Sequence, residues 1–463
     1  MINSGTARLV IDIGKTNVKI HALNEFDNHI ISFNKKNKVV KDVLYDRVDV
    51  DGIWAWILKT IHTCASDFKI SALVVTAHGA TAALVNHSSS DNGLVLPIMD
   101  YEWSGLDSIN SEYEKNRPAF NETFSPNLPT GLNLGRQLFW QQKYFSEEFN
   151  KSEALLMYPQ YWSWLLTGKL TSEISSIGCH TDLWEPITKK FSNLVNSQNW
   201  NNLFPPFTKA WDVLGTVSDE IADITGLDKS CEVYTGVHDS NASYLRFLLA
   251  RQNDDFCIVS TGTWVVCMSS QESLECLDSS KDMLANINVE GRPVPCIRFM
   301  GGREYEEICR ITGVENNHKV TEDDINQIIK DQVMALPSFS EGNGPFGSYK
   351  PEIIGTPKNG AGLATIYCAL MISFCLYELE AKGDVIIVGS FLKNPLLCQM
   401  VAQLCDDKDV YVSNDEAGTV KGAVHLTNWS KKVSLSLKKC ESSNINNLKL
   451  YKSLWQKKIE GMK

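Results

Sequence analysis

The sequence has no CxxC pair and no long basic run, although it contains 13 cysteines in 463 residues. Cysteines such as Cys368, Cys375 and Cys398 lie within apolar segments, which predicts buried thiols in a reducing compartment and argues against zinc ligands or a disulfide frame. Lys plus Arg number 44 and Asp plus Glu 55, which gives a net charge of −11. Without clustered positive charge, nucleic-acid binding is not expected, whereas a local basic pocket for a small phosphate ligand stays open.

Several other signals are missing as well. The first residues lack a cationic and then apolar signal pattern, no Gly-x-Ser-x-Gly elbow occurs, and no segment is of low complexity. We therefore expect a cytoplasmic protein without a serine triad. A hydrophobic fraction of 43% and a charged fraction of 21% predict a folded chain, and its length predicts two domains.

One apolar stretch, residues 361–377, carries no charged side chain and is close to the length of a membrane span. Gly362, Thr365 and Ser373 interrupt it, and a strand-like segment follows at residues 385–388. A helix that is apolar on all sides can also form the centre of a large domain. We therefore predict a buried helix and no membrane partner.

Two segments share the pattern of a strand, a turn containing Gly and Thr, and a second strand. The first covers residues 8–23, and the second covers residues 256–268 around Thr261-Gly262-Thr263. Because one such hairpin stands near the start of each half, the pattern indicates an internal duplication of architecture. The predicted domains are residues 1–249 and 250–463.

The rest of the chain alternates strand and helix patterns, which is typical of α/β layers. Strands are predicted at residues 72–75, 385–388 and 410–412, and helices at residues 51–62, 323–336, 395–404 and 417–426. The lysine-containing tail from Lys431 is predicted to form a surface helix.

Asp12 ends an otherwise apolar strand, where an ionised carboxylate needs a partner or a metal. The polar and basic residues that follow it are Gly14, Lys15, Thr16, Asn17 and Lys19. Their turn could hold polyphosphate through backbone N–H groups, with Asp12 organising a magnesium ion through its waters. A plain hairpin with an edge aspartate is the alternative, since no Walker spacing is present.

Asp239 lies between an apolar segment, residues 233–237, and a helical pattern at residues 242–249. A carboxylate at such a strand-to-helix turn lies where α/β sheets usually bind ligands, and it could accept a proton from an attacking hydroxyl. A helix N-cap is the alternative, and the residues alone leave both open. The Thr261-Gly262-Thr263 turn could hold phosphate from the second half.

Polar and aromatic residues gather in three further turns, around His78 and Gly79, Asp100, Glu102 and Trp103, and His180 and Asp182. Aromatic faces beside hydrogen-bonding side chains suit a polyhydroxylated ligand. His180 and Asp182 could equally be a zinc pair, but no third ligand matches them. For each turn a packed loop is the alternative.

Taken in order, these pieces resemble the FGGY family of carbohydrate kinases, in the actin-like ATPase superfamily. The similarity runs over most of the chain through the Asp12 turn, His78-Gly79, Asp239, Gly262-Thr263, Gly389, Asn394, Glu416-Ala417 and Gly422-Ala423. The resemblance implies an α/β fold of two ribonuclease-H-like domains, with ATP and a sugar in the cleft between them.

The resemblance also implies a role for each group of residues. The Asp12 turn and the Thr261-Gly262-Thr263 turn bind the phosphates, Asp12 binds Mg²⁺, and Asp239 is the general base. The adenosine region takes Gly389, Ser390, Phe391 and Asn394, and the sugar takes His78, Gly79, Asp100, Glu102, Trp103, His180, Asp182 and His238. Two departures from the family pattern are Gly389-Ser390-Phe391, in place of a glycine-rich turn, and Pro159-Gln160-Tyr161, in place of an Asp-Tyr pair.

The segment from Ser260 to Trp264 and the His238-Asp239 pair are similar to the rhamnulokinase and fuculokinase branch, whose substrates are 6-deoxyketoses. Candidate apolar surfaces for a methyl group are Trp103, Trp162, Trp184 and Trp264. The expected activity is ATP-dependent phosphorylation of a ketose or deoxyketose, such as L-rhamnulose or L-fuculose. A catalytically silent sugar or nucleotide sensor is the alternative, and the resemblance leaves a homodimer open.

Overall fold

A computed structural model describes residues 5–251, 254–315, 319–413 and 418–462. The chain divides into two units. Unit 1 contains Met1–Ala250, Ala285–Pro293 and Ala417–Val433, and unit 2 contains Arg251–Leu284, Val294–Glu416 and Ser434–Lys463. Each unit therefore combines segments that are far apart in the sequence.

The main sheet of unit 1 has seven strands. Across the sheet they run Val213–Thr216, Glu232–Tyr234, Lys69–Ala77, Thr6–Ile13, Asn17–Asn24 and His29–Lys36, with Val237–His238 also paired to Lys69–Ala77. The first two strands in the chain are antiparallel, and the first pairs in parallel with Lys69–Ala77.

The main sheet of unit 2 also has seven strands. Across it they run Met283–Ile287, Pro293–Phe299, Val265–Ser269, Phe256–Thr261, Asp384–Gly389, Val410–Ser413 and Lys438–Lys439. Both sheets place an antiparallel hairpin beside a parallel strand that arrives later in the chain. This shared order confirms the predicted internal duplication of architecture.

Side chains alternate along a strand, so the strands of unit 1 bury apolar residues on both faces of the sheet. Helices cover both faces. Leu9 and Ile11 pack in the same core as the helix Val50–Asp67, whereas Val10 packs in the core that holds Leu245. The other helices of eight or more residues are Leu134–Tyr144, Tyr158–Thr167, Asp239–Ala250 and Gly418–His425 in unit 1, and Gly301–Ile311, Glu322–Lys330, Gly360–Glu378, Pro395–Leu404 and Leu448–Glu460 in unit 2.

The remaining regular elements are short. The short helices are Asn110–Tyr113, Phe120–Thr123, Ser146–Phe149, Ile174–Ile177, Asn193–Ser197 and Asp219–Thr225. Four two-stranded sheets pair Val39–Val40 with Arg47–Val48, Ala82–Val85 with Ala154–Met157, Trp184–Glu185 with Lys190–Phe191, and Met334–Leu336 with Glu352–Ile354.

The helix Gly418–His425 returns from late in the chain to pack against the helix Asp239–Ala250. A Cβ atom on Gly422 would lie only 1.6 Å from the backbone oxygen of Ala242, so this close approach requires glycine. The segment is held further by a hydrogen bond of 2.8 Å from Arg8 Nη1 to Thr427 Oγ1.

The helix Gly360–Glu378 is long and apolar enough to cross a membrane, and 89% of its most apolar window is buried within the protein. Its side chains, among them Leu363, Ile366 and Leu370, belong to the core of unit 2. This matches the prediction of a buried core helix.

Two predicted helices differ from the structure. The pattern at residues 323–336 forms the helix Glu322–Lys330, which stops before Gln332 at φ 53°, and continues as the strand Met334–Leu336. The tail is helical only over Leu448–Glu460. One face of this helix is buried, because Trp455 packs in the core of unit 2. Glu416-Ala417 lies outside the described residues.

Candidate functional site

The first hairpin has the predicted tight tip. Its strands pair Asp12 with Lys19 and Ile13 with Val18, and the Gly14 N–H donates to the Asn17 backbone oxygen at 2.9 Å. Asn37, which the sequence reasoning missed, donates its backbone N–H to Thr16 and its Nδ2 to Gly14. These two bonds to carbonyl oxygens, 2.8 and 2.6 Å long, fix the shape of the turn.

The ionised form of the Asp12 carboxylate is disfavoured in its surroundings, as its position at the end of an apolar strand suggests. Burial and the nearby charge of Asp239 raise the pKa of the Asp12 carboxyl to about 7, while Lys19 acts to lower it. The fold of unit 1 therefore brings Asp12 and Asp239, which are far apart in the sequence, into one electrostatic environment. Oxygen donors with uncompensated negative charge are the chemistry that a Mg²⁺ ion prefers.

We expect opposite shifts in the Asp12 pKa when its two charged neighbours are neutralised. Asp239→Asn removes a negative charge and should lower the pKa of Asp12 below about 7, whereas Lys19→Gln removes a positive charge and should raise it. Carboxyl ¹³C NMR titration of Asp12 measures both shifts. Movement of both variants in the same direction would contradict the arrangement.

Asp239 is the first residue of the helix Asp239–Ala250 and directly follows the strand Val237–His238. Its Oδ1 accepts the N–H of Ser240 at 2.6 Å, whereas an N-cap side chain accepts an N–H two or three residues further on. The Asp239 side chain keeps 29% exposure. Burial raises the pKa of Asp239, while His78, when its ring is protonated, and the bonds from Ser240 act to lower it.

The predicted residues Gly79 and His238 come together, and Cys179 joins them. A Cβ atom on Gly79 would lie 3.1 Å from His238 Nε2 and 3.2 Å from Cys179 Sγ, so the contact leaves little room for a side chain. Cys179 Sγ lies 3.6 Å from His238 Nε2. Cys179 gave no signal in the sequence beyond its position next to His180.

Lys15 links the phosphate turn to the predicted sugar carboxylates. Its Nζ lies 2.5 Å from Asp100 Oδ1, 3.3 Å from Glu102 Oε2 and 4.4 Å from the centre of the Tyr101 ring. Asp100 is 5% exposed and Glu102 67%, so Asp100 is the inner carboxylate of the two. The recess beside them, of about 20 Å³, is lined by Lys15, Asn37, His78, Asp100, Tyr101 and Tyr158, among others.

His78 lies among aromatic rings. Its ring centre is 5.4 Å from that of Tyr101 and 4.9 Å from that of Tyr158. Its Nδ1 is 2.9 Å from the backbone oxygen of Gly79. Burial lowers the pKa of His78, which favours the neutral ring.

Asp182 is engaged inside the protein, and this corrects the prediction that it contacts a sugar. The side chain is fully buried, Arg117 Nη2 lies 3.0 Å from Oδ1, and the Tyr113 hydroxyl donates to Oδ2 at 2.8 Å. Nearby, His180 has a backbone φ of 41°, and its Nδ1 lies 2.9 Å from the Leu132 backbone oxygen. Asp182 thus has the contacts of a structural ion pair.

The tryptophans predicted to face a methyl group have other neighbours. Trp162 is 0% exposed in the core of unit 1, so it is not a ligand surface. Trp103 packs against Trp140 with ring centres 4.9 Å apart, Trp184 lies 5.5 Å from Phe191, and Trp264 has the Arg298 guanidinium 4.6 Å above it.

The second hairpin is joined to the predicted adenosine turn within unit 2. The Gly262 N–H donates to the Trp264 backbone oxygen at 2.9 Å. Thr261 Oγ1 donates to the Val388 backbone oxygen at 2.6 Å and accepts the Phe391 N–H at 3.0 Å. A Cβ atom on Gly389, at φ +96°, would lie 1.9 Å from the Thr261 backbone oxygen, so glycine is required there.

A cavity of about 670 Å³ lies beside this turn in unit 2. It is lined by Tyr305, Lys319, Val320, Thr321, Glu322, Ser390, Phe391, Lys393, Asn394, Pro395, Leu396, Leu397 and Gln399. Its volume is in the range of small-molecule sites, and it combines apolar walls with polar groups. Asn394 donates to Thr365 Oγ1 at 2.9 Å and caps the helix Pro395–Leu404, so its side chain shapes the cavity wall.

Comparison with known families accounts for both units. The model of the FGGY family of carbohydrate kinases, N-terminal domain, matches residues 7–245, and that of the carbohydrate kinase FGGY C-terminal domain matches residues 253–434. The chain therefore belongs to the FGGY family of carbohydrate kinases. The resemblance inferred from the sequence motifs is confirmed.

The chain is 23% identical to L-fuculokinase of Escherichia coli K12 over 269 residues, which is 56% of each chain. It is 26% identical to rhamnulokinase of Halalkalibacterium halodurans over 272 residues, which is 57% of this chain and 54% of the relative. It thus spans about half the length of the curated relatives it matches. A crystal structure of a carbohydrate kinase from Novosphingobium aromaticivorans superposes with a TM-score of 0.91, at 29% identity and over 99% of both chains.

Proposed function

We propose that the protein is an ATP-dependent sugar kinase that transfers the γ-phosphoryl group to a hydroxyl of a small sugar. The observation that carries this proposal is the strand register of unit 1, in which Asp12 pairs with Thr76, and His238, the neighbour of Asp239, pairs with Ala77 of the same strand. In keeping with this, the charge of Asp239 acts to raise the pKa of Asp12. Membership of the FGGY family supports the same reaction class. Phosphoryl transfer depends mainly on positioning and charge stabilisation, which these residues can supply.

Asp239 is the proposed general base. Its carboxylate is partly exposed, so a sugar hydroxyl can reach it, and its backbone is fixed at the start of a helix. A raised pKa makes a carboxylate a stronger base, provided that it is ionised at the working pH. In the proposed step the hydroxyl proton goes to Asp239 as the hydroxyl oxygen attacks phosphorus and the bond from phosphorus to ADP breaks.

Asp12 is the proposed residue for Mg²⁺, through water. Within the described ranges no group of three or more His, Cys, Asp or Glu side chains could hold a metal ion, so phosphate oxygens and waters would complete its shell, as is common for this ion. When bound, Mg²⁺ neutralises negative charge on the phosphate chain. The proposed task of Asp12 is to supply a carboxylate oxygen at this point.

Both units are proposed to contribute residues that bind the nucleotide. In unit 1 these residues are Gly14, Lys15, Thr16, Asn17 and Lys19, and in unit 2 they are Thr261, Gly262, Thr263, Gly389, Ser390, Phe391 and Asn394. Backbone N–H groups of tight turns bind phosphate without a basic surface, which fits the acidic net charge of −11. The cavity of about 670 Å³ is the proposed adenosine pocket.

The proposed substrate class is a ketose or deoxyketose, such as L-rhamnulose or L-fuculose. The names of two relatives, L-fuculokinase and rhamnulokinase, support it. The proposed sugar-side residues are His78, Gly79, Asp100, Glu102, Trp103 and His180. We also propose a cytoplasmic location, which fits the buried free thiols Cys368, Cys375 and Cys398.

Sugar-dependent release of ADP tests this function. Purified protein, ATP and Mg²⁺ are incubated with a panel of ketoses, aldoses, polyols and sugar acids, and we expect ADP release above background for one sugar class. Asp239→Asn should abolish the sugar-dependent signal. Binding of ATP or a sugar without ADP release on any member of the panel would favour the alternative of a silent sensor.

A further inference from the structure

Three side chains of unit 1 form a chain of contacts that ends on Asp239. Asn241 Nδ2 lies 3.2 Å from His238 Nδ1, and His238 Nε2 lies 3.3 Å from Asp239 Oδ1. Asn241 and His238 are each 5% exposed. Water therefore has little access to the contact between Asn241 and His238.

Asn241 is itself oriented from a second element. Its Nδ2 also lies 3.5 Å from the backbone oxygen of Ser175, in the short helix Ile174–Ile177. Glu173, fully buried, pins that helix by accepting the N–H groups of Ser175 and Ser176 at 2.9 and 3.0 Å and both of their hydroxyls. An amide flip would turn the Asn241 oxygen toward the Ser175 carbonyl, so the NH₂ group faces His238 Nδ1.

This orientation determines where the His238 proton is. A neutral imidazole carries one N–H, and Nδ1 must accept because Asn241 donates to it. The proton is then on Nε2, where it faces Asp239 Oδ1 and Cys179 Sγ at 3.3 and 3.6 Å. The opposite tautomer would set two donors against each other at Nδ1 and a nitrogen lone pair against a carboxylate oxygen.

We propose that His238 is a positioning residue, held by Asn241 as the Nε2–H tautomer so that it donates to Asp239 and fixes the direction of the carboxylate. This inference rests on the proposed function and replaces the predicted contact of His238 with sugar. A carboxylate held by a donor on one oxygen presents its other oxygen in a constant direction, which is what proton abstraction from a bound hydroxyl requires.

The tautomer can be measured without any assay of activity. Long-range ¹H–¹⁵N correlation spectra of histidine-labelled protein report which ring nitrogen carries the proton, and the His238→Gln variant assigns the His238 signals among the nine histidines. We expect Nε2–H in the wild type. Asn241→Asp, which offers only acceptors to Nδ1, should move a proton onto Nδ1. A wild-type ring protonated on Nδ1 alone would overturn the proposal.

Kinetics then separate positioning from structure. The amide nitrogen of a glutamine reaches the place of His238 Nε2, whereas that of asparagine reaches only the place of Nδ1. His238→Gln should therefore retain most of kcat, and His238→Asn and Asn241→Asp should lose about 10 to 100-fold, as is typical when a supporting partner is removed. KM for ATP should stay within about twofold in all three variants, because none of the substitutions removes a group that is proposed to bind ATP.

Two results contradict the positioning role. One is an equal loss of kcat in His238→Gln and His238→Asn, when thermal unfolding shows that both variants are folded. The other is an unchanged kcat in Asn241→Asp after NMR has shown the altered tautomer. Asn196→Asp, the same substitution at an exposed residue of the helix Asn193–Ser197, is the matched control. If the wild type phosphorylates no sugar, the proposed function fails, and the tautomer measurement still decides whether Asn241 sets the state of His238.

Discussion

Asp239→Asn is expected to lower kcat by about 10² to 10⁴-fold, the usual contribution of a general base. Asparagine keeps the size of the side chain and can still accept the Ser240 N–H that bonds to Oδ1 at 2.6 Å. It cannot take a proton from a hydroxyl. Binding of ATP, measured by calorimetry, should persist while ADP release in the presence of the sugar collapses.

A matched control exists in Asp228, whose Oδ1 accepts the Ser230 N–H at 2.8 Å and the Ser230 hydroxyl at 2.6 Å in a similar local turn. Asp228 is exposed and lies outside the proposed site. Asp228→Asn should leave the rate unchanged. A folded Asp239→Asn protein that turns over at a rate near that of the wild type would remove Asp239 from the mechanism.

Arg117→Met is expected to lower the free energy of unfolding by about 3 to 5 kcal/mol, the cost of leaving a buried charge without its partner. The partner is Asp182, whose side chain is 0% exposed and lies 3.0 Å from Arg117 Nη2. Burial raises the pKa of Asp182 and the Arg117 charge opposes that rise, so loss of Arg117 leaves the burial effect unopposed. Urea denaturation measures the change.

The double variant Arg117→Met with Asp182→Asn should recover part of the lost stability, since the unpaired charge is then gone. Arg310→Met is the surface control: its pair with Glu307 is exposed and should contribute nothing measurable. Asp182→Asn alone should leave the KM for sugar unchanged in a folded protein. A specific rise of that KM would restore the original prediction of a sugar contact.

The hairpins and the buried helix could be predicted because each follows from a local pattern, and the duplicated architecture could be predicted because the hairpin pattern occurs twice. Val10 and Ile11 alternate between two cores, and residues 361–377 are apolar on every side. Such patterns follow from the periods of strand and helix. The prediction of a helix over residues 323–336 is wrong in its C-terminal part. Gln332, at φ 53°, separates a helix from a strand, although the apolar residues of the two continue one helical stripe in the sequence.

The candidate site could be predicted in its residue types, but its pairings could not. The sequence predicts Asp182 as a site residue from its polar and aromatic neighbours, whereas its contacts depend on Arg117, 65 positions away. Asn37 and Asn241 gave no signal because an asparagine in a turn or an early helical position is common. Their roles depend on Gly14, Thr16 and His238, which only the fold brings to them.

Unit 1 has a consequence for biosynthesis. One side of the helix Asp239–Ala250 packs against Gly418–His425, so that side stays uncovered until the ribosome has made the segment that ends at residue 433. That is 433 − 250 = 183 residues after the first segment of unit 1 is complete. At about 5 to 20 residues per second the wait is about 10 to 40 seconds. The helix proposed to carry the base thus reaches its final packing late, and a fragment ending at residue 250 would be synthesised without the cover that holds it.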